Sequence, residues 1–464
     1  TAIAIGALKG ARPTTKDAEQ AYIQSYIEAK GRPRTYVRLP KAWWPKSWFA
    51  ADGSPLYKDP VCVLEKSLYG HPESGPLWDK KLHKVMRKLG YLAIEGSPGV
   101  FYHPVHDADV TVYVDDFILC SIPQLEDMLW EALGGEIVFK DGKIDLERYL
   151  GVCHDFHTDK DGTFNMITSM EKYLIDAVNV FMKEAGIVNL PFVPTPSLDD
   201  IVAAEDDVTK GLFFSSCSSH LMKVLYSARL CRHDLLVTTS FLARRVSAWG
   251  ANEDRRLKRL MAYIWHHADL GLHHSLHPND LKDAVLDFSP DAELGGDPYS
   301  TRATGGSWIE ISSADGKRCW PVACICKKAS HTSGSTNDSE TTSLVGAQDS
   351  GLKREVIPIL DHLETSLKRS VKLVCKEDNT QCIALVKRGF SPAMRYLKRH
   401  AKLSLGFVHE VFFPDLDNED APRYNAEIKY WPSTEHKGDW MTKELNQKDF
   451  INARERAGIK KYHG

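Results

Sequence analysis

Apolar and polar positions follow three successive patterns along this chain. Up to about residue 165, helical and strand-like segments alternate. From Cys217 to Leu272 the apolar residues recur at helical spacing, which predicts a mainly helical region. Strand-like runs then return around a long helix, predicted from about Glu340 to Leu367. The runs are Val285–Phe288, Ser307–Ile311, Pro321–Cys326 and Val371–Cys375.

Breaks in these patterns divide the chain into domains. A proline-rich and then acidic stretch, residues 191–207, predicts a connection, and the turn at 276–280 leads into the last part. A chain of 464 residues is also too long for one ordinary core. We therefore predict a multidomain fold of the α+β and α/β classes, with domains at 1–165, 166–280 and 281–464. The middle domain is expected to be mainly helical, and the last to have a mixed sheet, flanking helices and a C-terminal tail.

Composition excludes several classes of protein. Hydrophobic residues make up 43% and charged residues 26% of the chain, as in water-soluble globular proteins. No apolar run is long enough to span a bilayer, and no basic segment introduces a signal peptide, so we expect no membrane partner. Ten cysteines occur without a CxxC pair, which favours reduced thiols over disulfides or zinc and predicts a cytosolic or nuclear protein.

The net charge of −3 does not by itself indicate nucleic-acid binding. Basic residues nevertheless gather late in the chain, with Phe390 and Tyr396 among them. Such a cluster fits a groove that follows a nucleic-acid backbone, and its other interpretation is a solvated helix face. From this cluster we take as candidate substrate-binding residues Arg395, Lys398 and Arg399.

The most informative short segment is Tyr113-Val114-Asp115-Asp116. Strand-forming runs lie on both sides of the two acids, which predicts a hairpin with carboxylates at its tip. Rigidly held paired carboxylates suit a divalent cation. A solvated turn is the other interpretation of this segment.

Asp17 is a third carboxylate that could complete such a site. Three clustered acids repel one another unless cations lie between them, and two cations can support phosphoryl transfer. Spacing alone leaves Asp17 open to a structural role at the start of a helix.

Three segments in order, residues 17–22, 66–78 and 113–116, resemble the reverse transcriptase motifs of copia-type LTR retrotransposon polyproteins. The resemblance continues through residues 148–152, 169–174 and 191–196. It implies a polymerase palm in domain 1–165, followed by a thumb or connection in 166–280. It also implies that the metal ligands of the polymerase are Asp17, Asp115 and Asp116.

The same resemblance assigns residues that contact the substrate. Tyr22, five residues after Asp17, would select deoxynucleotides by contacting the sugar 2′-position, whereas its alternative role is core packing. Gly70, Glu73 and Tyr113 would contact template or nucleotide. Residues 67–78 form a stiff, turning segment that suits a loop under a template base. Glu73 departs from the family, which usually has Gln there.

A second set of acids resembles the ribonuclease H domain of the same family. Asp291, Glu340, Asp378 and Asp439 stand in the expected order, and a two-metal nuclease needs several carboxylates. Each also has a structural interpretation. Asp291 could end an edge strand with Asp287 as the intended acid, Glu340 could interact with a helix dipole, Asp378 could lie in a surface turn, and Asp439 could start a helix.

Together these resemblances imply an RNA-directed DNA polymerase with ribonuclease H activity. Expected cofactors are two Mg²⁺ or Mn²⁺ ions in each site. Expected partners are an RNA template, a DNA primer, an RNA/DNA hybrid and deoxynucleotide triphosphates. The expected location is a cytoplasmic virus-like particle, the nucleus or both.

The alternative expectation is a retroelement remnant without activity that only binds nucleic acid, or a protein that retains ribonuclease H activity alone. Because the chain begins just before Asp17, we expect most of the polymerase fingers to be missing and polymerase activity to be weak.

Overall fold

A computed structural model describes most of the chain. The candidate substrate-binding residues Arg395, Lys398 and Arg399 lie outside the residues that it describes. The described residues divide into two compact units. We name residues 12–94 and 98–145 the hairpin unit, and residues 1–11, 95–97 and 146–464 the main unit. The structure describes residues 1–27, 34–140, 142–197, 210–295, 300–346, 351–394, 404–415, 417–418 and 424–462.

In the described part of the first 145 residues, short strands occur together with three α-helices. Short 3₁₀ turns connect several of them, including one at Ala21–Gln24. The regular elements are α1 (Ala2–Leu8), β1 (Arg12–Asp17), β2 (Tyr36–Arg38), β3 (Val61–Val63), α2 (Ser74–Lys88), β4 (Leu92–Ala93), β5 (Val100–His103), β6 (Ala108–Tyr113), β7 (Asp116–Ser121), α3 (Pro123–Gly134) and β8 (Ile144–Asp145).

The hairpin unit is built on an antiparallel sheet in the order β4-β5-β6-β7-β1-β8. Helices α2 and α3 contribute apolar side chains to the core beside this sheet. In α2, Trp78, Leu82, Val85 and Met86 recur at helical spacing and are all buried. This packing fixes the neighbouring strands β7 and β1, which carry Asp116 and Asp17.

The next segment, residues 146–276, combines strands with helices. Residues 166–280 were predicted to be mainly helical, and this part has long helices as well as two strands of a sheet. The elements are β9 (Arg148–Tyr149), β10 (Val152–Thr158), β11 (Phe164–Ser169), α4 (Glu171–Ala185), α5 (Cys217–Leu230), α6 (Leu236–Ala243), α7 (Ala251–His266) and β12 (Leu270–Leu276).

The last segment contains most of the predicted strands. Each of the four runs expected after residue 280 overlaps a strand, although the strand expected from Val371 begins at Leu373. The elements are β13 (Val285–Glu293), β14 (Thr304–Ser312), β15 (Cys319–Lys328), α8 (Thr336–Val345), α9 (Ile357–Leu367), β16 (Leu373–Glu377), α10 (Thr380–Arg388), α11 (Leu405–Phe412), β17 (Ala426–Tyr430), α12 (Gln447–Arg456) and β18 (Ile459–Lys461).

The main unit contains two five-stranded sheets. One is antiparallel, in the order β18-β12-β11-β10-β9, so the C-terminal strand completes a sheet formed mainly by residues 148–276. The other is mixed, in the order β15-β14-β13-β16-β17, and β13 is its middle strand. The division into three domains with boundaries near 165 and 280 stays a prediction.

The prediction of one long helix from Glu340 to Leu367 is wrong. Helix α8 ends at Val345, and α9 begins at Ile357 after a π turn at Leu352–Val356. Gly346 and Gly351 have φ values of +85° and +81°, a backbone conformation that glycine adopts without steric cost. Two such residues interrupt the helical hydrogen bonding that apolar spacing alone suggests.

Among the described residues, no helix is both long enough and apolar enough to cross a bilayer.

Candidate metal and nucleic-acid sites

The acidic hairpin of the hairpin unit has a two-residue loop. Strands β6 and β7 remain paired as far as Tyr113 and Asp116, which leaves Val114 and Asp115 at the tip. Val114 has a φ of +58°, which is unfavourable for a β-branched residue and costs on the order of 1–3 kcal/mol. Tight hairpins without glycine therefore need support from neighbouring groups.

Two hydrogen bonds supply that support. The indole Nε1 of buried Trp78 donates to the carbonyl of Val114 at 2.8 Å. The backbone N–H of Ala18 donates to the carbonyl of Asp115 at 2.7 Å. Trp78 therefore lies in α2 and stabilises the hairpin through this hydrogen bond. The sequence had predicted a loop over residues 67–78. The loop ends before Ser74, where α2 begins.

Asp17 lies beside the hairpin acids. Strands β1 and β7 pair so that Asp17 is directly opposite Asp116. The pKa of Asp116 is raised by burial and, to a lesser degree, by the nearby charges of Asp115 and Asp17. The fold thus brings together the three acids that the sequence selected.

Lys140 is a member of this site that the sequence did not indicate. Its Nζ lies 2.8 Å from Asp17 Oδ2, and its backbone N–H donates to the Asp17 carbonyl at 2.9 Å. The hydrogen bond with Asp17 is the main cause that raises the pKa of Lys140. The two residues are 123 positions apart, so no local pattern could have paired them.

The candidate substrate-binding residues of this unit lie in different environments. Tyr22 is half-buried against the core, and its ring centroid is 4.8 Å from that of Tyr69. Tyr113 is 59% exposed at the start of the hairpin turn. Gly70 is exposed with a φ of +89°, and Glu73 precedes the first residue of α2. Tyr22 therefore has the core contacts of its structural interpretation.

The second set of acids converges in the main unit. Asp291 lies near the end of β13, Asp378 follows β16, and Asp439 begins a 3₁₀ turn. One carboxylate oxygen from each of the three lies within 4.8 Å of the others. Within the described part of the chain, this is the one group of three or more potential ligands that is so compact. We name Asp291, Asp378 and Asp439 the metal triad.

Each member of the metal triad is oriented by a neighbour. The Thr442 hydroxyl donates to Asp291, and the Ser433 hydroxyl donates to Asp378 Oδ2 at 2.7 Å. Asp439 forms an ion pair with Lys443 one turn later. Asp291 is 4% exposed, and burial, together with the charge of Asp439, raises its pKa to about 6.

Asp287, which the sequence left open as an alternative to Asp291, has other partners. Its carboxylate forms an ion pair with Lys376 at 3.0 Å and accepts the Ser312 hydroxyl at 2.5 Å. The neighbouring cation already compensates its charge. The alternative that Asp291 ends an edge strand is wrong, because β13 is the middle strand of its sheet.

Two glutamates lie beside the metal triad in the protein interior. Burial, followed by the charges of Asp291, Glu377 and Asp378, raises the pKa of Glu340 to about 10. Burial also raises the pKa of Glu377, which is fully shielded from solvent. The Oε2 atoms of both side chains are buried and have no hydrogen-bond partner among the described residues. Unpaired carboxylate oxygens next to three further carboxylates fit the oxygen ligands that Mg²⁺ and Mn²⁺ prefer.

Glu340 is the fifth residue of α8, beyond the first turn, so the helix-dipole interpretation of this residue is wrong. Glu377 directly precedes Asp378, the acid that the sequence selected. Glu377 is recognised as a further acid of the site only by its burial. The alternating sequence pattern of the strand does not predict that burial.

A polar cleft of about 610 Å³ opens beside Glu340 and Asp378. The N-termini of α8 and α10 both border it, and backbone N–H groups at helix starts favour anions. The Asn337 amide donates to Gln381 at 2.6 Å, and the Asn379 amide donates to Asn337 at 3.2 Å. Neutral amides of this kind suit a phosphate backbone without adding negative charge.

No protein-family profile matches the chain. In sequence it is similar to a Saccharomyces cerevisiae protein named as a transposon Ty5-1 protein, with 22% identity over 253 residues, 54% of this chain and 75% of the yeast protein. A foamy viral protease-reverse transcriptase, solved in complex with an RNA/DNA hybrid, is similar in structure at 12% identity and a TM-score of 0.42. That similarity covers 92% of this chain, which spans 45% of the viral chain.

A second solved structure with partial similarity is the N-terminal ribonuclease H domain of a Mycobacterium tuberculosis protein, determined as a fusion with maltose-binding protein. The identity is 10% and the TM-score 0.21, over 38% of this chain and 99% of that one. By sequence, the chain is thus distantly similar to a transposon protein.

Proposed function

We propose that this chain is the reverse transcriptase and ribonuclease H part of a copia-type retrotransposon polyprotein. In this proposal it copies RNA into DNA in the hairpin unit and cleaves the RNA strand of an RNA/DNA hybrid in the main unit. The observation that carries the proposal is the metal triad, in which three acids from separate elements bring carboxylate oxygens within 4.8 Å of one another. Such an arrangement is costly without cations and suits phosphoryl transfer with them.

In the nuclease site, Asp291, Asp378 and Asp439 would hold the cations, with Glu340 completing the set. Divalent ions bound there supply an activated water and stabilise charge on the departing oxygen. The protein's own contribution is orientation: Thr442 and Ser433 fix two of the carboxylates by hydrogen bonds. The cleft at the starts of α8 and α10 would bind the substrate backbone.

In the polymerase site, Asp17, Asp115 and Asp116 would hold the cations, and Tyr22 and Tyr113 would contact the incoming nucleotide. Lys140 adds an ammonium group 2.8 Å from Asp17. A cation at that position can stabilise negative charge that develops on the departing pyrophosphate. Primer, template and deoxynucleotide triphosphates are the partners that this activity requires.

Ribonuclease H activity alone is the second candidate function. The compactness of the metal triad favours it, since the hairpin acids do not form an equally compact group among the described residues. Asp17 also has Lys140 as an ion-pair partner, which competes with a metal. Glu73 places a negative charge where the resembling family has a neutral residue.

The decisive experiment measures cleavage of a labelled RNA/DNA hybrid by the full chain with Mg²⁺ or Mn²⁺. We expect cleavage that Asp378→Asn abolishes and that Asp287→Asn preserves, provided that both variants fold. Absence of cleavage by the unaltered chain with either metal would refute the nuclease part of the proposal.

Primer extension tests the polymerase part separately. Asp115→Asn is expected to abolish any extension while leaving hybrid cleavage intact. Hybrid cleavage without extension by the unaltered chain would favour the second candidate function. The absence of both activities, with hybrid binding retained, would identify the chain as an inactive nucleic-acid-binding remnant.

A further inference from the structure

Residues 36–63 of the hairpin unit form an extension that we name the aromatic ribbon. Its base is the two-stranded antiparallel sheet of β2 and β3. Side chains alternate between the two faces of such a sheet, and one face carries Tyr36, Val61 and Val63. All three are exposed. The base of the ribbon therefore presents apolar surface to solvent.

The loop between the two strands has aromatic packing of its own. The ring centroids of Trp44 and Trp48 are 5.7 Å apart, and that of Tyr57 lies 6.0 Å from Trp48, both pairs in edge-to-face geometry. The indole Nε1 of Trp44 donates to the Leu39 carbonyl at 3.0 Å. These contacts fix the conformation of the loop and with it the positions of the exposed side chains that it carries.

Several large side chains remain outside this packing. Trp43 is 73% exposed, and Leu56 and Tyr57 are more than half exposed. The surface continues beyond β3, where Lys66 forms a backbone bridge with Tyr26, which is 65% exposed. Aromatic rings gain much free energy when they are covered, so a group of exposed rings indicates a binding surface.

The same surface carries an excess of positive charge. Its exposed lysines are Lys41, Lys46, Lys58 and Lys66. The ammonium group of Lys66 lies 5.4 Å from the ring centroid of Tyr26, so a cation and an exposed ring are direct neighbours. Among the described residues, the one ion pair of the ribbon joins Arg38 to Asp59, at 2.8 Å.

Two further acids belong to this surface. Asp52 accepts hydrogen bonds from the backbone N–H and the hydroxyl of Ser54, at 2.9 and 2.7 Å, and so stabilises its own turn. Glu65 is exposed and precedes Lys66. The four lysines outnumber these two acids, and the surface therefore favours an anionic ligand, which Glu65 partly opposes.

Single-stranded nucleic acid matches both properties of this surface. Its phosphates complement lysines, and its unpaired bases can stack on exposed aromatic rings. In a duplex the bases are stacked on one another, so a duplex would contact the lysines and leave the rings uncovered. A second ribbon would bring like charges together, which disfavours contact between two copies of this surface.

We propose that the aromatic ribbon binds single-stranded nucleic acid. Trp43 stacks on a base, and Lys41 and Lys46, in the two short 3₁₀ turns beside it, contact phosphates. This site is distinct from both sets of acids and needs no divalent cation. Binding is independent of sequence, because every base has a face that can stack. The site thus gives the chain a way to hold an unpaired strand, beyond the two proposed activities.

The test is fluorescence anisotropy of a labelled oligothymidine of about 15 nucleotides, and of a duplex of equal length, titrated with the full chain in EDTA. We expect Trp43→Ala to weaken single-strand binding about tenfold, because one stacked base is lost, and Trp43→Phe to retain most of the affinity. Phe192→Ala is the matched control, since it removes a ring that is 67% exposed outside the ribbon. It should bind like the unaltered chain.

Charge substitutions give a second, independent readout. Lys46→Gln should weaken single-strand binding and reduce the slope of log affinity against log salt by about 0.7, because one phosphate contact is lost. Lys317→Gln, an exposed substitution outside the ribbon, should leave the slope unchanged. Glu65→Gln should strengthen binding, and a misfolded variant cannot produce an effect of that sign.

Unchanged single-strand binding by Trp43→Ala would overturn the proposal, as would duplex binding that depends on Trp43 to the same degree. Sedimentation velocity detects a further contrary outcome: an oligomer that Trp43→Ala dissociates would assign the surface to contact between copies of the chain. Because the titration contains no metal, the absence of both enzymatic activities would refute the proposed function without changing this result.

Discussion

The ionised form of the Asp291 carboxyl group is destabilised by its surroundings when no cation is bound. Its side chain is buried, and Asp378 and Asp439 lie close to it. Burial raises its pKa from 3.8 to about 6, so between these values the folded protein binds a proton that the unfolded chain releases. Unfolding free energy therefore falls as pH rises through this window and stays low above it.

Asp291→Asn should remove this penalty. At pH 7 without metal, the variant is expected to be more stable than the unaltered chain by on the order of 1–3 kcal/mol, with little difference below pH 4. Denaturant unfolding at both pH values measures the effect. Added Mg²⁺ should stabilise the unaltered chain and not the variant.

Asp287→Asn is the matched control for that substitution. Asp287 lies on the same strand but is paired with Lys376. Removing its charge is expected to destabilise the protein, because a half-buried lysine loses its partner. If both substitutions change stability in the same direction, the electrostatic account of Asp291 is wrong.

An equivalent prediction concerns Lys140 in the hairpin unit. Because its ammonium group occupies one oxygen of Asp17, Lys140→Gln is expected to tighten Mn²⁺ binding at the hairpin acids. Titration calorimetry in a background of Asp378→Asn, which disables the other site, provides the measurement. Lys143→Gln is the control, since Lys143 pairs with Glu126 and Asp127 instead. Equal Mn²⁺ affinity in both variants would argue against competition at Asp17.

At the scale of elements, the acidic hairpin depends on α2. The loop residue Val114 has an unfavourable backbone conformation, and the indole of Trp78 holds its carbonyl. A strand pair alone would fix the register of the acids but not the geometry of the two-residue loop. Helix α2 thus contributes to the site without carrying any of its acids.

Trp78→Phe tests this dependence. The substitution should destabilise the protein by about 1–2 kcal/mol and reduce primer extension at least tenfold, because Asp115 loses a supported backbone. Trp130→Phe is a close control: Trp130 also lies in this core and donates its indole N–H, but to Thr14 at 2.9 Å. A similar loss of extension in both variants would indicate a general packing effect.

At the scale of the whole chain, the C-terminal segment belongs to a sheet formed far earlier in the sequence. Strand β18 pairs with β12, and the Tyr462 hydroxyl donates to Glu171 at 2.5 Å. The ion pair between Lys461 and Asp269 adds a further connection at 2.8 Å. The second half of the main unit therefore stabilises the first half.

Deletion of residues 457–464 should lower the unfolding midpoint of the main unit, because β12 becomes an edge strand and Ile459 leaves the core. Urea unfolding followed by tryptophan fluorescence provides the measurement. Deletion of residues 463–464 alone is the control and should have little effect. An unchanged midpoint after the longer deletion would show that β18 does not contribute to stability.

Much of this molecule follows from local sequence. Alternation of apolar residues predicted the hairpin at 113–116 and the strands after residue 280, because side-chain periods of 2 and 3.6 are properties of single segments. Ordered motifs also selected Asp291, Asp378 and Asp439 before any geometry was known. Glycine conformations at 346 and 351, by contrast, could not be inferred from apolar spacing, since it carries no information about φ.

Only the tertiary structure decided which charges meet. Lys140 lies beside Asp17, Asp287 is neutralised by Lys376, and Glu377 is buried next to the metal triad. Strand register and helix packing set the distances between these charged groups. Burial then sets the free-energy cost of ionising each one. A sequence specifies the residues that can form a cation site, but electrostatic energy depends on separation and solvent exposure, which exist only once distant segments have packed together.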